Sequence, residues 1–91
     1  MKKVRAKFKV DEVRRHLTML PVEGKKDRYA HVEARTVVMS PVYGGGDPDH
    51  ENTKFWRATP SGRLELGMVN LAAAEMFELG KEYYLDFTPS E

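Results

Sequence analysis

The 91-residue chain contains no cysteine. Disulfides, thiolate zinc sites, iron–sulfur ligation and cysteine nucleophiles are excluded together, and nothing in the sequence calls for an oxidising compartment. Long apolar runs are also missing: the longest, Leu71 to Ala74, falls far short of the roughly 20 residues a membrane helix needs. The lysine-rich start lacks the apolar stretch of a signal peptide. The expectation is a cytoplasmic protein with no membrane partner. Internal repeats, low-complexity tracts and linkers are absent too, so residues 1–91 read as one domain.

What is present is 41% apolar and 32% charged residues, the composition of a small globular fold. A chain of this size buries roughly two-thirds of its extended surface, enough for one modest core. The net charge of +1 hides a division. Residues 1–35 carry eleven Lys or Arg against five Asp or Glu, whereas residues 36–91 carry four against nine. The split of +6 and −5 suits either a basic face for an anionic partner or two complementary surfaces that meet within the fold or between subunits. Under each alternative a homo-oligomer is expected.

From Lys3 to Val10 the residues alternate strictly. Val4, Ala6, Phe8 and Val10 lie on one face, and Lys3, Arg5, Lys7 and Lys9 form a cationic row on the other, the pattern of a half-buried strand. The phase slips at Asp11-Glu12; Val13 to Leu17 either continue the strand after a bulge or begin a turn. Pro21 to Asp27 is a connection. A second strand runs from about Arg28 to Val42, with Ala30, Val32, Ala34, Thr36 and Val38 alternating with Tyr29, His31, Glu33 and Arg35. Gly44 to Asn52 reads as a mobile surface loop. Phe55–Thr59 reads as extended, turning through Thr59-Pro60-Ser61-Gly62 into Leu64, Leu66 and Met68 as a hairpin. Asn70 is a helix N-cap, with an apolar stripe through Leu71, Ala74 and Phe77 and a stop at Gly80. Lys81–Thr88 is a last strand, placing Tyr83 and Tyr84 on opposite faces, one in the core and one exposed. The order β-β-β-β-α-β predicts a mainly β fold: a small antiparallel sheet or partly open barrel with one short helix.

Several motifs fail on inspection. His31-Val32-Glu33 has the H-x-E spacing of zinc deaminases, but the paired cysteines that complete that site do not exist here. Asp47, Asp49, His50 and Glu51 cluster hard ligands without the spacing of a calcium loop. Gly44-Gly45-Gly46 is followed by aspartates rather than the Gly-Lys-Ser/Thr of a phosphate loop. Ser40, Ser61 and Ser90 sit beside proline or in a turn, and no triad is recognisable. Nothing calls for an enzyme, a metal or a cofactor. The residues that suit a ligand are the cations Lys3, Arg5, Lys7 and Lys9, the guanidinium groups of Arg14, Arg15, Arg57 and Arg63 as forked phosphate contacts, and Trp56 or Tyr84 as a stacking platform. The alternative is that Trp56 anchors the sheet, Arg57 pairs with the acidic half, and an exposed aromatic anchors a protein contact.

The opening Lys3-Val4-Arg5-Ala6-Lys7-Phe8, the middle Phe55-Trp56-Arg57-Ala58-Thr59-Pro60-Ser61-Gly62 and the closing Gly80-Lys81-Glu82-Tyr83-Tyr84-Leu85-Asp86-Phe87-Thr88-Pro89 resemble small proteins of tailed bacteriophages and prophages. The resemblance implies a bacterial host cell as setting and carries no catalytic or ligand residue. By analogy, such proteins act by occupancy. The expected function is therefore non-enzymatic capture of a phosphate-bearing ligand, a nucleotide signal or single-stranded nucleic acid, with antagonism of host defence as its purpose. Two alternatives stand beside it: an inhibitor or scaffold that binds a host or phage protein by its sheet edge or exposed aromatics, and a phage structural or accessory domain.

Overall fold

The computed structural model describes residues 4–90; the Lys3 expectation lies outside them. Four strands form one open antiparallel sheet: β1 (Val4–Pro21), β2 (Tyr29–Pro41), β3 (Leu64–Met68) and β4 (Glu82–Phe87), in the order β3-β2-β1-β4. Two short helices, α1 (Glu51–Trp56) and α2 (Leu71–Ala74), flank it. The fold is mainly β, with an open sheet and a short helix ahead of the last strand.

The phase slip at Asp11-Glu12 is a β-bulge, and β1 runs on through it. Before the bulge Ala6, Phe8 and Val10 face the core; after it the parity reverses and Val13 packs on the same side. Phe8, Val10, Val37 and Met39 form the buried centre, closed by Trp56, Leu64, Met68, Phe77, Tyr83 and Leu85. The bulge at Asp11 thus keeps the apolar side chains from Ala6 to Val13 on one face.

Three local expectations are corrected. Phe55–Thr59 is not a strand and forms no hairpin with β3, which pairs with β2 instead. Phe55 and Trp56 end α1, whose first turn is capped by His50 Nδ1 accepting from the Asn52 N–H at 3.1 Å. Asn52, expected in a mobile loop, is fully buried. Its amide wedges into the last rung between β1 and β2: Oδ1 accepts from Lys7 N–H at 2.6 Å, while Nδ2 donates to Lys7 O at 2.7 Å and Val42 O at 2.6 Å. Helix α2 has the expected Asn70 cap, with Oδ1 accepting from Ala73 N–H, but ends at Ala74 rather than near Gly80. The chain there turns early because Tyr83 OH donates to Met76 O at 2.6 Å and accepts from Glu78 N–H at 2.9 Å. Gly80, at φ 85°, then turns the chain into β4, its N–H bonded to Val10 O.

The sheet is four strands wide for only part of its length. β4 covers β1 from Val4 to Lys9, and β3 covers β2 from Arg35 to Met39. Beyond these, Arg14–Pro21 and Tyr29–Thr36 pair only with each other over most of their length, as a two-stranded ribbon that turns through residues 22–28. The ribbon accounts for the molecule's extents of 55 × 33 × 19 Å and its radius of gyration of 17.2 Å, well above the roughly 12 Å of a compact chain this long.

Candidate functional site

The cationic row and Tyr84 come together on the face of β1 and β4 away from the core. Register sets Arg5 opposite Asp86, Lys7 opposite Tyr84 and Lys9 opposite Glu82. The Arg5 guanidinium lies 4.5 Å from the centre of the Tyr84 ring and the Lys7 ammonium 5.2 Å from it, within cation–π range. Tyr83 is the core-side member of the tyrosine pair and Tyr84 the exposed one, as alternation requires.

Arg5 and Lys7 are already matched. Arg5 forks onto Asp86, Nε at 2.7 Å from Oδ1 and Nη2 at 3.0 Å from Oδ2. The hydrogen bond to Asp86, reinforced by its charge, raises the guanidinium pKa further above its ordinary value. Lys7 Nζ lies 3.4 Å from Glu51 Oε1 and 3.8 Å from Glu82 Oε1. The Glu51 pKa is lowered, first by a hydrogen bond from its own backbone N–H and then by Lys7, against the opposing effect of burial. Of the two readings of the charge split, complementary surfaces do meet inside the fold: basic β1 lies against acidic β4 and the start of α1.

The remaining candidates are dispersed. Arg14 faces Glu12 at 3.3 Å and Glu65 at 3.6 Å, and Arg63 meets Glu65 at 2.9 Å. Arg63 in turn holds the Glu65 pKa below the usual carboxylate range. Arg15 lies on the opposite, core-side face of the ribbon and forks onto Glu33 at 2.8 and 3.2 Å, with Arg35 joining at 3.2 Å. Hydrogen bonds from Arg15 and Arg35 depress the Glu33 pKa. Trp56 is half-buried between Phe8 and Phe55, and its Nε1 donates to Ser61 O at 3.0 Å. Arg57 ends α1 in the left-handed region at φ 57°. The acidic loop cluster set aside as a metal site has local tasks: His50 caps α1, Asp47 Oδ1 accepts from Asp49 N–H, and Glu51 meets Lys7.

Two features were not singled out from the sequence. One is a cleft of about 530 Å³ where α1 meets the start of β1, lined by Val4, Arg5, Asp49, Glu51, Lys54 and Phe55. The other is the ribbon. Alternation after the bulge puts Arg15, Leu17, Met19 and Pro21 on its core-side face, opposite Arg35, Glu33, His31 and Tyr29. Leu17 is 70% exposed, Met19 53% and Tyr29 57%. The Arg15–Glu33–Arg35 cluster separates this apolar strip from the core. The signal for it was an uncharged run, Leu17-Thr18-Met19-Leu20, next to a connection; the reach of the flanking strands decides whether that run is covered.

Compared with protein-family models, curated proteins and solved structures, the chain matches none.

Proposed function

We propose that this chain is a non-enzymatic binding protein whose partner is another protein surface, engaged along the β1–β2 ribbon. The observation that carries this reading is the strip of Leu17, Met19 and Tyr29, exposed on a ribbon with no third strand beside it among the described residues. A two-stranded ribbon is marginal in water, and natural sheets guard long free edges with charge, proline or a covering element. Here the segment from Leu17 to Leu20 carries no charge. An apolar face beside free backbone groups favours addition of a partner's extended segment. The resemblance to phage proteins points to a host or phage protein as that partner, and to inhibition or scaffolding as the mode of action.

The test is a photo-crosslinking residue at Tyr29, in cells that express the protein. Discrete protein adducts that disappear with Leu17→Lys/Met19→Lys are expected. Adducts with nucleic acid only, or none, would overturn the reading.

Capture of a nucleotide or single-stranded nucleic acid is the second reading, favoured by the position of Tyr84 beside Arg5 and Lys7. A phosphate there must compete with Asp86 for Arg5 and with Glu51 and Glu82 for Lys7, which is why the ribbon ranks first. A thermal-shift screen against nucleotides and oligonucleotides decides it, since a ligand that binds only the folded state raises the melting temperature.

A further inference from the structure

We infer that the ribbon's occupant is a second copy of this chain, added edge to edge along β1 with a two-fold axis at Thr18. The inference rests on the ribbon being a protein-binding surface and deepens that reading. Backbone geometry defines the available edge. Val22 N–H bonds to Arg28 O, so in the constant register from Glu12 to Pro21 the even residues of β1 bond to β2, and the odd ones direct their N–H and C=O outward. Past Val10, whose backbone groups bond to Lys81 and Gly80, no strand lies on that side among the described residues. Arg15, Leu17 and Met19 therefore present unpaired donors and acceptors, and Pro21 an acceptor alone.

This edge is complementary to itself. Antiparallel pairing centred on Thr18 sets Leu17 opposite Met19 of the second copy, twice, on the core-side face, and lets Arg15 N–H reach Pro21 C=O. One step of slip in one direction sets Arg15 against Met19. One step in the other sets Leu17 against Pro21 and shortens the overlap to residues 17–21, with fewer bonds between the edges. Charge permits the approach, because each Arg15 is ion-paired to its own Glu33, which Arg35 shares, and in this register the two Arg15 residues stand about six positions, roughly 20 Å, apart along the seam. The pairing turns two marginal ribbons into one four-stranded sheet with a joint apolar strip of Leu17, Met19 and Tyr29. About seven residues of overlap, at about 3.3 Å each, make a seam roughly 23 Å long and one strand deep, small beside the roughly 1,200 Å² that stable complexes bury. The dimer is thus reversible and depends on concentration.

The experiment uses the full purified chain. Sedimentation velocity from micromolar to near-millimolar concentration is combined with Thr18→Cys, which can form only intermolecular disulfides in a protein without cysteine. Facing Thr18 positions lie about 4.5 Å apart between Cα atoms, within disulfide reach. The expected result is a monomer–dimer equilibrium, abolished by Leu17→Lys/Met19→Lys with the melting temperature kept. In a glutathione redox buffer, Thr18→Cys should also yield several-fold more disulfide dimer than Ser61→Cys in the exposed turn. A monomer throughout, equal yields from the two cysteine variants, or a dimer that survives the double lysine substitution overturns the inference. The Tyr29 photo-crosslink separates the two failures: an adduct with a different protein keeps the protein-binding reading without self-pairing, and no protein adduct removes both.

Discussion

The side-chain amide of Asn52 bonds both backbone groups of Lys7, so that one residue of α1 takes a place in the ladder of β1. Val42 N–H still reaches Lys7 O at 3.0 Å, but the return bond from Lys7 N–H to Val42 O is replaced by the Asn52 bridge. With Glu51 beside the Lys7 ammonium, two successive residues of α1 fix it against the start of β1, where the cationic row meets Tyr84.

Substitution at Asn52 should consequently be among the most damaging single changes. Asn52→Ala leaves Lys7 N–H and Val42 C=O buried without partners, a loss of about 2–4 kcal/mol on the usual cost of such groups. Asn52→Asp can still accept from Lys7 N–H, but as a carboxylate it turns an acceptor toward two carbonyls. Burial and those carbonyls raise its pKa, so its stability should fall as pH rises through that value and recover on protonation. Urea unfolding at pH 4 and pH 8 checks this: Asn52→Asp should lose stability between them while Asn52→Ala does not show that loss.

Tyr83 acts on the turn after α2. Its hydroxyl bonds Met76 O and Glu78 N–H together, while its ring packs on Phe77 at 5.3 Å. Tyr83→Phe keeps the ring and removes both bonds, and should cost about 1 kcal/mol, read as a lower urea midpoint with an unchanged slope. Faster hydrogen exchange should be confined to residues near Glu78 and Lys81.

Part of the acid sensitivity should arise at the base of the ribbon, beside that from Glu51 and Glu65. Glu33 has its pKa lowered from 4.5 by hydrogen bonds from Arg15 and Arg35. A carboxylate depressed in the folded state contributes stability above its unfolded pKa and loses it as pH falls through the folded value. Stability should therefore decline as pH drops below about 4.5, and Glu33→Gln should flatten that part of the profile while having less effect at pH 3 than at pH 7. Because the cluster is partly open to solvent, with Arg15 the most exposed member, added salt should shrink the difference.

The strands were legible because alternation survives in sequence: Ala6, Phe8 and Val10 against Arg5, Lys7 and Lys9, and the long run to Pro41. The bulge showed only as a phase slip, since one inserted residue looks alike whether the chain bends or turns. α1 was hidden by β-prone Phe55 and Trp56, although acidic Glu51 in the first turn and Lys54 in the last fit a helix dipole. The site was harder. That Tyr84 lies between Arg5 and Lys7 depends on β4 pairing with β1, and that Leu17 and Met19 are uncovered depends on where β4 ends; both are non-local facts that no local pattern encodes.

The three consecutive glycines separate in a way that composition did not suggest. Gly45 and Gly46 hold positive φ, 66° and 82°, with open space where a Cβ would stand. Alanine there should cost only the left-handed backbone, about 1–2 kcal/mol. Gly44 does not take a positive φ, yet a Cβ there would lie 2.5 Å from Thr53 Oγ1 and 3.3 Å from the His50 side chain that caps α1. Gly44→Ala should therefore destabilise by overlap with α1, by about 1–3 kcal/mol, and adding Thr53→Ala should recover part of the loss by removing the nearest atom. No such recovery is expected for Gly45→Ala or Gly46→Ala, because Thr53 does not touch their added methyl groups. Thermal melts of the six variants, with Thr53→Ala alone as the reference, test whether the glycine run serves backbone conformation at two positions and close helix packing at the third.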